Sequence, residues 1–360
     1  MAGVTAPGGP STETPARSRR GSLPAPRQVL DRALSLREGS IIVVTIIVAV
    51  YFSVNTSTFL TGANFKTLLP YFAPLAIIAA GEVFVMILGE IDLSIGATYL
   101  FAPIVFYKLN TAGIGLVPSV ILALLCCMAV GLINGVFTAV IGVNSFVVTL
   151  GMLFTFEGLA LIISHGTPVS TPGAEVHQVT EHGHVVNSIS TFAKIFGGGT
   201  YAELIWAVVI VVVLQIALTF SRWGLYTVAT GSNKLGAAEA GVPVKLITIR
   251  NFVVCALTAG LVGILEAVRS SSIQPDPAGA NEILLLAIAS AVIGGTLLAG
   301  GSGTVVGALI GALFLGILKN GLILQGVNAN YLLFYTGLAI IIAMTANVYV
   351  QRVRRGHTGG

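Results

Sequence analysis

YFAPLAIIAAGEVFVMIL (residues 71–88) runs directly into GEIDLSIG (89–96) and then into ATYLFAPIVF (97–106). Two hydrocarbon stretches therefore flank a short turn that carries Glu90, Asp92 and Ser94. The flanks are continuous rather than alternating, which selects helices over a transmembrane barrel, whose strands alternate with period two. A charged group at membrane depth costs about 2.5–3.5 kcal/mol on insertion scales. Chains keep such groups where they cap a broken helix, face a water-filled path or bind something polar. The turn is thus both a marker of the fold and the first candidate site.

Composition extends this reading to the whole chain. Its 360 residues are 55% hydrophobic and only 9% charged, with a mean hydropathy of +0.94. Soluble domains carry about 25% charged residues. Lipid is therefore the solvent, and each bilayer span takes about 20 apolar residues. The apolar runs read as spans 41–59, 67–89, 93–108, 116–141, 145–164, 202–220, 248–267, 281–299, 302–324 and 331–350. The expected fold is an all-α polytopic membrane protein of about ten transmembrane helices. Residues 1–38, rich in Pro, Ala, Ser and Arg without apolar periodicity, read as a disordered tail. Residues 39–351 read as the membrane domain and 352–360 as a basic tail.

Basic residues orient the spans. An even count puts Arg17, Arg19, Arg20, Arg27, Arg32 and Arg37 on one side with Arg222, Lys234, Lys245 and Arg250, and with Arg352, Arg354 and Arg355. The other side holds Lys66, Lys108, Lys194, Arg269 and Lys319. Both termini are expected to be cytosolic, with 165–201 external and 221–247 cytosolic. His177, His182 and His184 in the external loop lack the spacing of a metal site and read as solvated. Cys126, Cys127 and Cys255 lie in apolar runs and read as packed thiols.

Gly131, Asn134-Gly135, Gly142-Val143-Asn144 and Thr149 recur in similar order as Gly316, Asn320-Gly321, Gly326-Val327-Asn328 and Thr336. Five spans separate them, so two five-helix units would be inverted in the membrane, a common transporter plan. Chance similarity between Gly-rich helices competes with that reading.

No Gly-Lys dipeptide occurs, so a Walker A phosphate loop is excluded, and no hydrolase constellation is visible. No cofactor, metal or nucleic-acid partner is expected. Gly303, Gly307 and Gly311 recur every four residues, a spacing that puts them on one helix face for close packing. Asp92 and Ser94 are good helix caps, and equally good lining for a polar path; both readings stand. Other polar groups in apolar runs are Glu82, Asn134, Asn144, Thr149, Glu157 and Glu266. Glu82 lies two helical turns before Gly89, on the same face. On the cytosolic side, glycines and Pro243 fence a short helix, Lys234 to Ala240. A membrane subunit driven by a cytosolic motor needs such a stiff element.

These blocks together resemble a known family. The 89–96 segment is similar to the Gly-Ile-Asp-Leu-Ser-Val-Gly signature of the ribose/xylose/galactose-type permeases of bacterial ABC importers, within the branched-chain amino acid and monosaccharide permease superfamily. NSFVVTLGM (144–152), the loop Gly231 to Gly241, AIASAVIGGT (287–296) with Gly300 to Gly303, and Asn320-Gly321-Leu322 also resemble family blocks in the family order. The resemblance covers about residues 40 to 350. Leu286 departs from it, standing where many members carry Asp, and so does Glu90, where small or apolar residues are common.

The resemblance implies a multi-pass permease of the bacterial inner membrane, working as a dimer of two copies or two related chains. Cytosolic ABC ATPase subunits would dock on a coupling loop of Asn233, Lys234, Ala237, Ala238, Glu239 and Gly241. An extracytoplasmic binding protein would deliver a monosaccharide. Glu82, Glu90, Asp92, Ser94, Asn144 and Thr149 would line or gate the path. Two other functions compete. An ion-gradient-driven transporter would use Glu82, Glu157 and Glu266 as a proton relay, and a scaffold protein would have a sealed interior.

Overall fold

A computed structural model describes residues 38–181 and 184–357, with side chains outside 176–188 and 346–357. The expected N-terminal tail up to residue 37, His182 and the side chains of His177, His184, Arg352, Arg354 and Arg355 lie outside that description.

In hydrocarbon the backbone must bond to itself, and long helices do this along the chain. In order they are α1 (Gly39–Asn55), α2 (Gly62–Ile87), α3 (Ile95–Thr111), α4 (Leu116–Val136), α5 (Ser145–Ser164), short α6 (Thr191–Ile195), α7 (Ala202–Phe220), α8 (Arg222–Ser232), α9 (Lys234–Glu239), α10 (Val244–Ser270), α11 (Pro277–Ile293), α12 (Val305–Leu324) and α13 (Ala329–His357). Their starts follow capping chemistry. Thr61, Asn144, Ser221, Asn233, Asp276 and Thr304 each accept a backbone N–H of the helix they precede. Among the described residues, six helices are long and apolar enough to cross a bilayer: α2, α4 with its extension, α5, α7, α10 and α12. The chain is an all-α polytopic membrane protein.

Several expected boundaries shift. The third helix runs over 95–111, beginning later and ending later than the 93–108 read from hydropathy. The run 281–299 does not stay helical to its end. Residues 294–304 form a connector with positive φ at Gly295, Gly300 and Gly301, a backbone that L side chains resist. Gly303 lies in that connector, before α12 begins, so it does not share a helix face with Gly307 and Gly311. The 165–201 segment is not all loop. It holds β1 (Val169–Ser170), paired antiparallel with β4 (Ser272–Ile273), and a hairpin of β2 (Val176–Glu181) and β3 (His184–Ile189). The α4 helix ends in a π-helical turn, Phe137–Ile141, closed by Gly142 at φ +86°.

Burial separates centre from perimeter. In the most apolar stretch of α2, 89% of residues are buried, and in α10 78%, against 33% for α4 and 28% each for α5 and α7. Glycines let helices touch the two central ones. A Cβ on Gly131 would lie 2.5 Å from the Phe252 carbonyl oxygen, and one on Gly135 2.6 Å from the Ile249 Cα. Gly307 and Gly311 play the same part against the end of α11, where a Cβ would meet the carbonyl oxygens of Gly294 and Ser290.

The connections sort to two ends. One end gathers the 88–94 turn, the start of α5, the α8–α9 segment and the 294–304 connector. The chain enters α1 at this end too, since the Thr304 hydroxyl donates to Glu38 Oε1 at 2.7 Å. The other end holds the strand pairs, pinned by the Thr171 hydroxyl donating to the Ala267 carbonyl at 2.7 Å.

Overpacking a closed helix contact costs about 1–3 kcal/mol. Gly131→Leu should therefore lower the thermal unfolding midpoint in detergent. Gly151→Ala should leave it unchanged, because nothing lies within 4 Å of a Cβ there. Equal midpoints for the two variants would contradict the α4–α10 approach.

Candidate functional site

The turn after α2 closes on a buried polar network. Gly89 adopts φ +78° and lets the chain reverse. The Asp92 backbone N–H then donates to Glu82 Oε1 at 3.1 Å, two turns back on α2. Asp92 Oδ1 accepts from the Ser94 N–H at 2.9 Å and from the Ser94 hydroxyl at 2.6 Å. From α4, Asn134 Nδ2 donates to Ser94 Oγ at 2.7 Å and, at 3.3 and 3.4 Å, to both Asp92 oxygens. From α10, the Cys255 thiol donates to Glu82 Oε2 at 3.0 Å. Glu82, Asp92, Ser94, Asn134 and Cys255 are all at 0% exposure. Asp92 therefore shapes the turn before α3, as a cap would, and also ties that turn to α4. Its neighbour Glu82 ties it to α2 and α10.

The other sequence candidates fall around this network. Thr149 is buried on α5 and donates to the Ser145 carbonyl at 2.8 Å and, more weakly, to the Ile91 carbonyl at 3.4 Å. Asn144 is not brought in. It is exposed and accepts the Phe146 N–H at 3.0 Å as the cap of α5. Glu90 points the other way, toward α9, with Lys234 Nζ 3.6 Å from its Oε1.

That contact is part of a wider seam. The Gly301 N–H donates to the Ile87 carbonyl at 2.7 Å. Gly231 at the end of α8 approaches the same carbonyl so closely that a Cβ would overlap it. Behind the seam, Trp223 of α8 stacks on Phe84 of α2 at 4.6 Å and donates its indole N–H to Asn251 Oδ1 at 2.7 Å. Asn251 in turn donates to the Phe84 carbonyl at 2.8 Å. The sequence reading missed Trp223 and Asn251 as site residues. An Asn within the apolar run of α10 was the available signal, because amides in hydrocarbon need partners.

The α9 helix itself stands proud of the bundle. Asn233 caps it by accepting the Gly236 N–H at 3.0 Å, and Gly241 ends it at φ +82°. Ala237 is buried against the bundle, while Lys234, Ala238 and Glu239 are exposed and Leu235 is 78% exposed. Away from this end, α2, α10, α11, α12 and α13 border a half-open cavity of about 460 Å³ whose wall includes Glu266, Arg269, Glu282 and Lys319.

A lipid-solvated bundle with a polar brace and a projecting short helix at one end, and a charged cavity toward the other, has the parts of a membrane permease. The family model described as branched-chain amino acid transport system / permease component matches residues 64–344, and the chain belongs to that family. It is 36% identical over 326 residues to the xylose/arabinose import permease protein XylH of Sulfolobus acidocaldarius, covering 88% of this chain and 86% of that one. It is 32% identical over 318 residues to the ribose import permease protein RbsC of Escherichia coli, covering 88% and 95%. Identity to the L-arabinose ABC transporter permease protein AraH of Azospirillum brasilense is 30% over 355 residues, covering 98% and 96%. No solved structure matches the chain.

Losing Asp92 would leave Ser94 and Asn134 without their shared acceptor, at a cost of about 1–3 kcal/mol. With Cys126 and Cys127 changed to Ser, Asp92→Ala should speed alkylation of Cys255 by about tenfold or more. Asp92→Asn, which keeps an oxygen toward Ser94, should change the rate less. Alkylation of Cys255 at the same rate in Asp92→Ala and its parent would exclude the brace.

Proposed function

We propose that this chain forms the translocation path for a monosaccharide in an ATP-driven importer, taking the sugar from an extracytoplasmic binding protein. The family is one of transport subunits, and the matched sugar permeases work in ABC importers. ATP hydrolysis belongs to partner subunits, and the absence of a phosphate loop agrees with that division. Two copies, or this chain and a relative, would make the full path. Both termini and the α8–α9 segment would face the cytosol, with about ten helices crossing the membrane.

The observation that carries this reading is the seam at Ile87, Glu90, Gly231 and Lys234. The α9 helix is the coupling element, with Asn233, Lys234, Ala237, Ala238, Glu239 and Gly241 as its ATPase-facing loop. A push on α9 reaches the end of α2 through backbone contact at Gly231 and charge contact at Glu90. From there it reaches the Glu82–Asp92–Ser94–Asn134 network, which acts as a closed gate at the cytosolic end. Ser145, which accepts the Ile91 N–H at 3.4 Å, and Thr149 hold α5 against the same turn, while Asn144 only caps α5. Rearranging this network opens the route without any covalent step.

The ion-gradient alternative has less support. Glu82 is committed to Asp92 and Cys255, and Glu266 is paired with Arg269.

Reconstituted with its ATPase and binding protein, the wild-type complex should import D-xylose, L-arabinose or D-ribose in an ATP-dependent manner. Uptake that survives ATP depletion and collapses with an ionophore would overturn the reading. A second measurement addresses coupling. Lys234 is 58% exposed but Glu90 only 18%, and their contact is loose at 3.6 Å, so the pair itself contributes about 0–1 kcal/mol; uptake is compared between variants whose thermal unfolding midpoint in detergent matches the wild type. Glu90→Lys or Lys234→Glu should lower ATP-driven uptake about two- to fivefold, and the double reversal should restore it. A double variant as impaired as the singles would remove the pair from the coupling route.

A further inference from the structure

The cavity is not a packing defect of apolar helices. Such a void would be dry and lined by hydrocarbon, whereas this one has charge in its wall from three helices. Lys319 of α12 donates to Glu282 Oε1 of α11 at 3.1 Å, and both side chains remain about one-third exposed, at 34% and 36%. Arg269 of α10 pairs with Glu266 and, at 3.0 Å through Nε, with Glu203 of α7, which is only 4% exposed and anchors the guanidinium from behind. The Tyr71 ring lies 6.0 Å from Lys319 Nζ. Leu286 belongs to the apolar part of the wall.

The backbone adds to the polarity. Pro70 and Pro74 line the cavity within α2. Each lacks the N–H that would bond four residues back, which releases the carbonyls of Lys66 and Pro70 from the helix ladder. Such breaks are tolerated in a membrane where a cavity or neighbouring groups supply donors. The site lies well away from the buried brace. Glu266 is eleven residues beyond Cys255 on α10, roughly 16 Å along the axis.

The charge pattern restricts the occupant. Both cations already have carboxylates, and three carboxylates face two cations. An anionic sugar would find no unpaired cation, and a zwitterionic amino acid would have to break an ion pair to enter. A neutral polyol needs neither. Its hydroxyls can donate to the free lone pairs of Glu282 and Glu266 and accept from Arg269 and Lys319 without separating the pairs. Its C–H faces suit Tyr71 and Leu286. At about 460 Å³ the cavity is at the small-ligand end of known sites, which span about 300–1,000 Å³.

We infer that this cavity is a transit site for a neutral monosaccharide, held by the paired charges of Glu282–Lys319 and Glu266–Arg269 on its way to the closed brace. The inference rests on the proposed sugar import and adds to it a place, a set of contacts and a charge rule.

The test uses the full complex with its ATPase and binding protein in nanodiscs, carrying Cys126→Ser and a reporter, Leu286→Cys. Alkylation of the reporter by a small water-soluble thiol reagent should slow at least about threefold in saturating D-xylose, L-arabinose or D-ribose. Glucuronate at the same concentration should give no protection. Adding Glu282→Gln with Lys319→Met, which removes both charges together, should abolish protection. Absence of protection by all three sugars, equal protection by glucuronate, or undiminished protection in the Glu282→Gln/Lys319→Met variant would each overturn the transit site. Wild-type uptake, measured in parallel, separates the two ideas. A complex that imports sugar but shows no protection defeats the cavity alone, and a complex that imports none of the three defeats the sugar reading and the cavity with it.

Discussion

Two carboxylates, Glu82 and Asp92, sit at 0% exposure inside a bundle of apolar helices. An unpaired carboxyl there would be costly enough to unfold the local structure. The surrounding architecture meets this demand with donors from four directions: the turn backbone, Ser94, Asn134 of α4 and Cys255 of α10. Because the donors come from different helices, satisfying the acids fixes how those helices are arranged. Moving any one of them requires moving the others or leaving a polar group unpaired. That is the property a gate needs, since its closed state must be defined and its opening must require work.

Small residues make the network reachable. Gly131 and Gly135 bring α4 against α10, so that the short side chain of Asn134 reaches Asp92. Gly231 and Gly301 bring two connectors onto the Ile87 carbonyl, at the point where α2 ends and the turn begins. Without a hydrophobic force between helices in lipid, such close approach and such hydrogen bonds are what holds them together. The same contacts give the proposed coupling role of the loose Glu90–Lys234 pair a physical basis. Its own energy is about 0–1 kcal/mol, but it sits on a backbone seam that cannot slide without disturbing the brace.

The two ends of the bundle differ in kind. The end with α9 is closed by committed hydrogen bonds, while the cavity toward the other end holds charges that are paired but still accessible at Glu282 and Lys319. Under the proposed transport reading, the closed brace at one end and the polar chamber toward the other would correspond to a path open to one side only. The acids that hydropathy singled out as alike, Glu82 and Glu266, thus do different work. One is locked by neutral donors and the other balances a guanidinium.

Hydropathy alone determined that this chain lives in lipid as a bundle of helices, because 55% hydrophobic and 9% charged residues allow no other solvent. It also marked the Asp92 turn, because a carboxylate beside pure hydrocarbon is conspicuous in one dimension. The start of α5 at residue 145 was legible too, whereas α2 begins at Gly62 behind its Thr61 cap, five residues before the apolar run that marked it. The ends of α11 and α12 were less so. Residues 294–304 carry no charge and so do not read as a polar loop, but they are mostly glycine, threonine and serine with only Leu297, Leu298 and Ala299 apolar, and the chain breaks there through backbone angles that glycines permit. The roles of Gly303, Asn144, Trp223 and Asn251 could not be read from spacing either. Only the tertiary structure decided that Asn134 and Cys255 meet Glu82 and Asp92, and that Glu203, Glu266, Arg269, Glu282 and Lys319 pair around one cavity. In lipid both faces of a helix are apolar, so no hydrophobic pattern tells which face looks inward. That choice is made by close packing and by the hydrogen bonds that buried polar groups such as Glu82 and Asp92 find on other helices, which are properties of the assembled helices and not of any one segment.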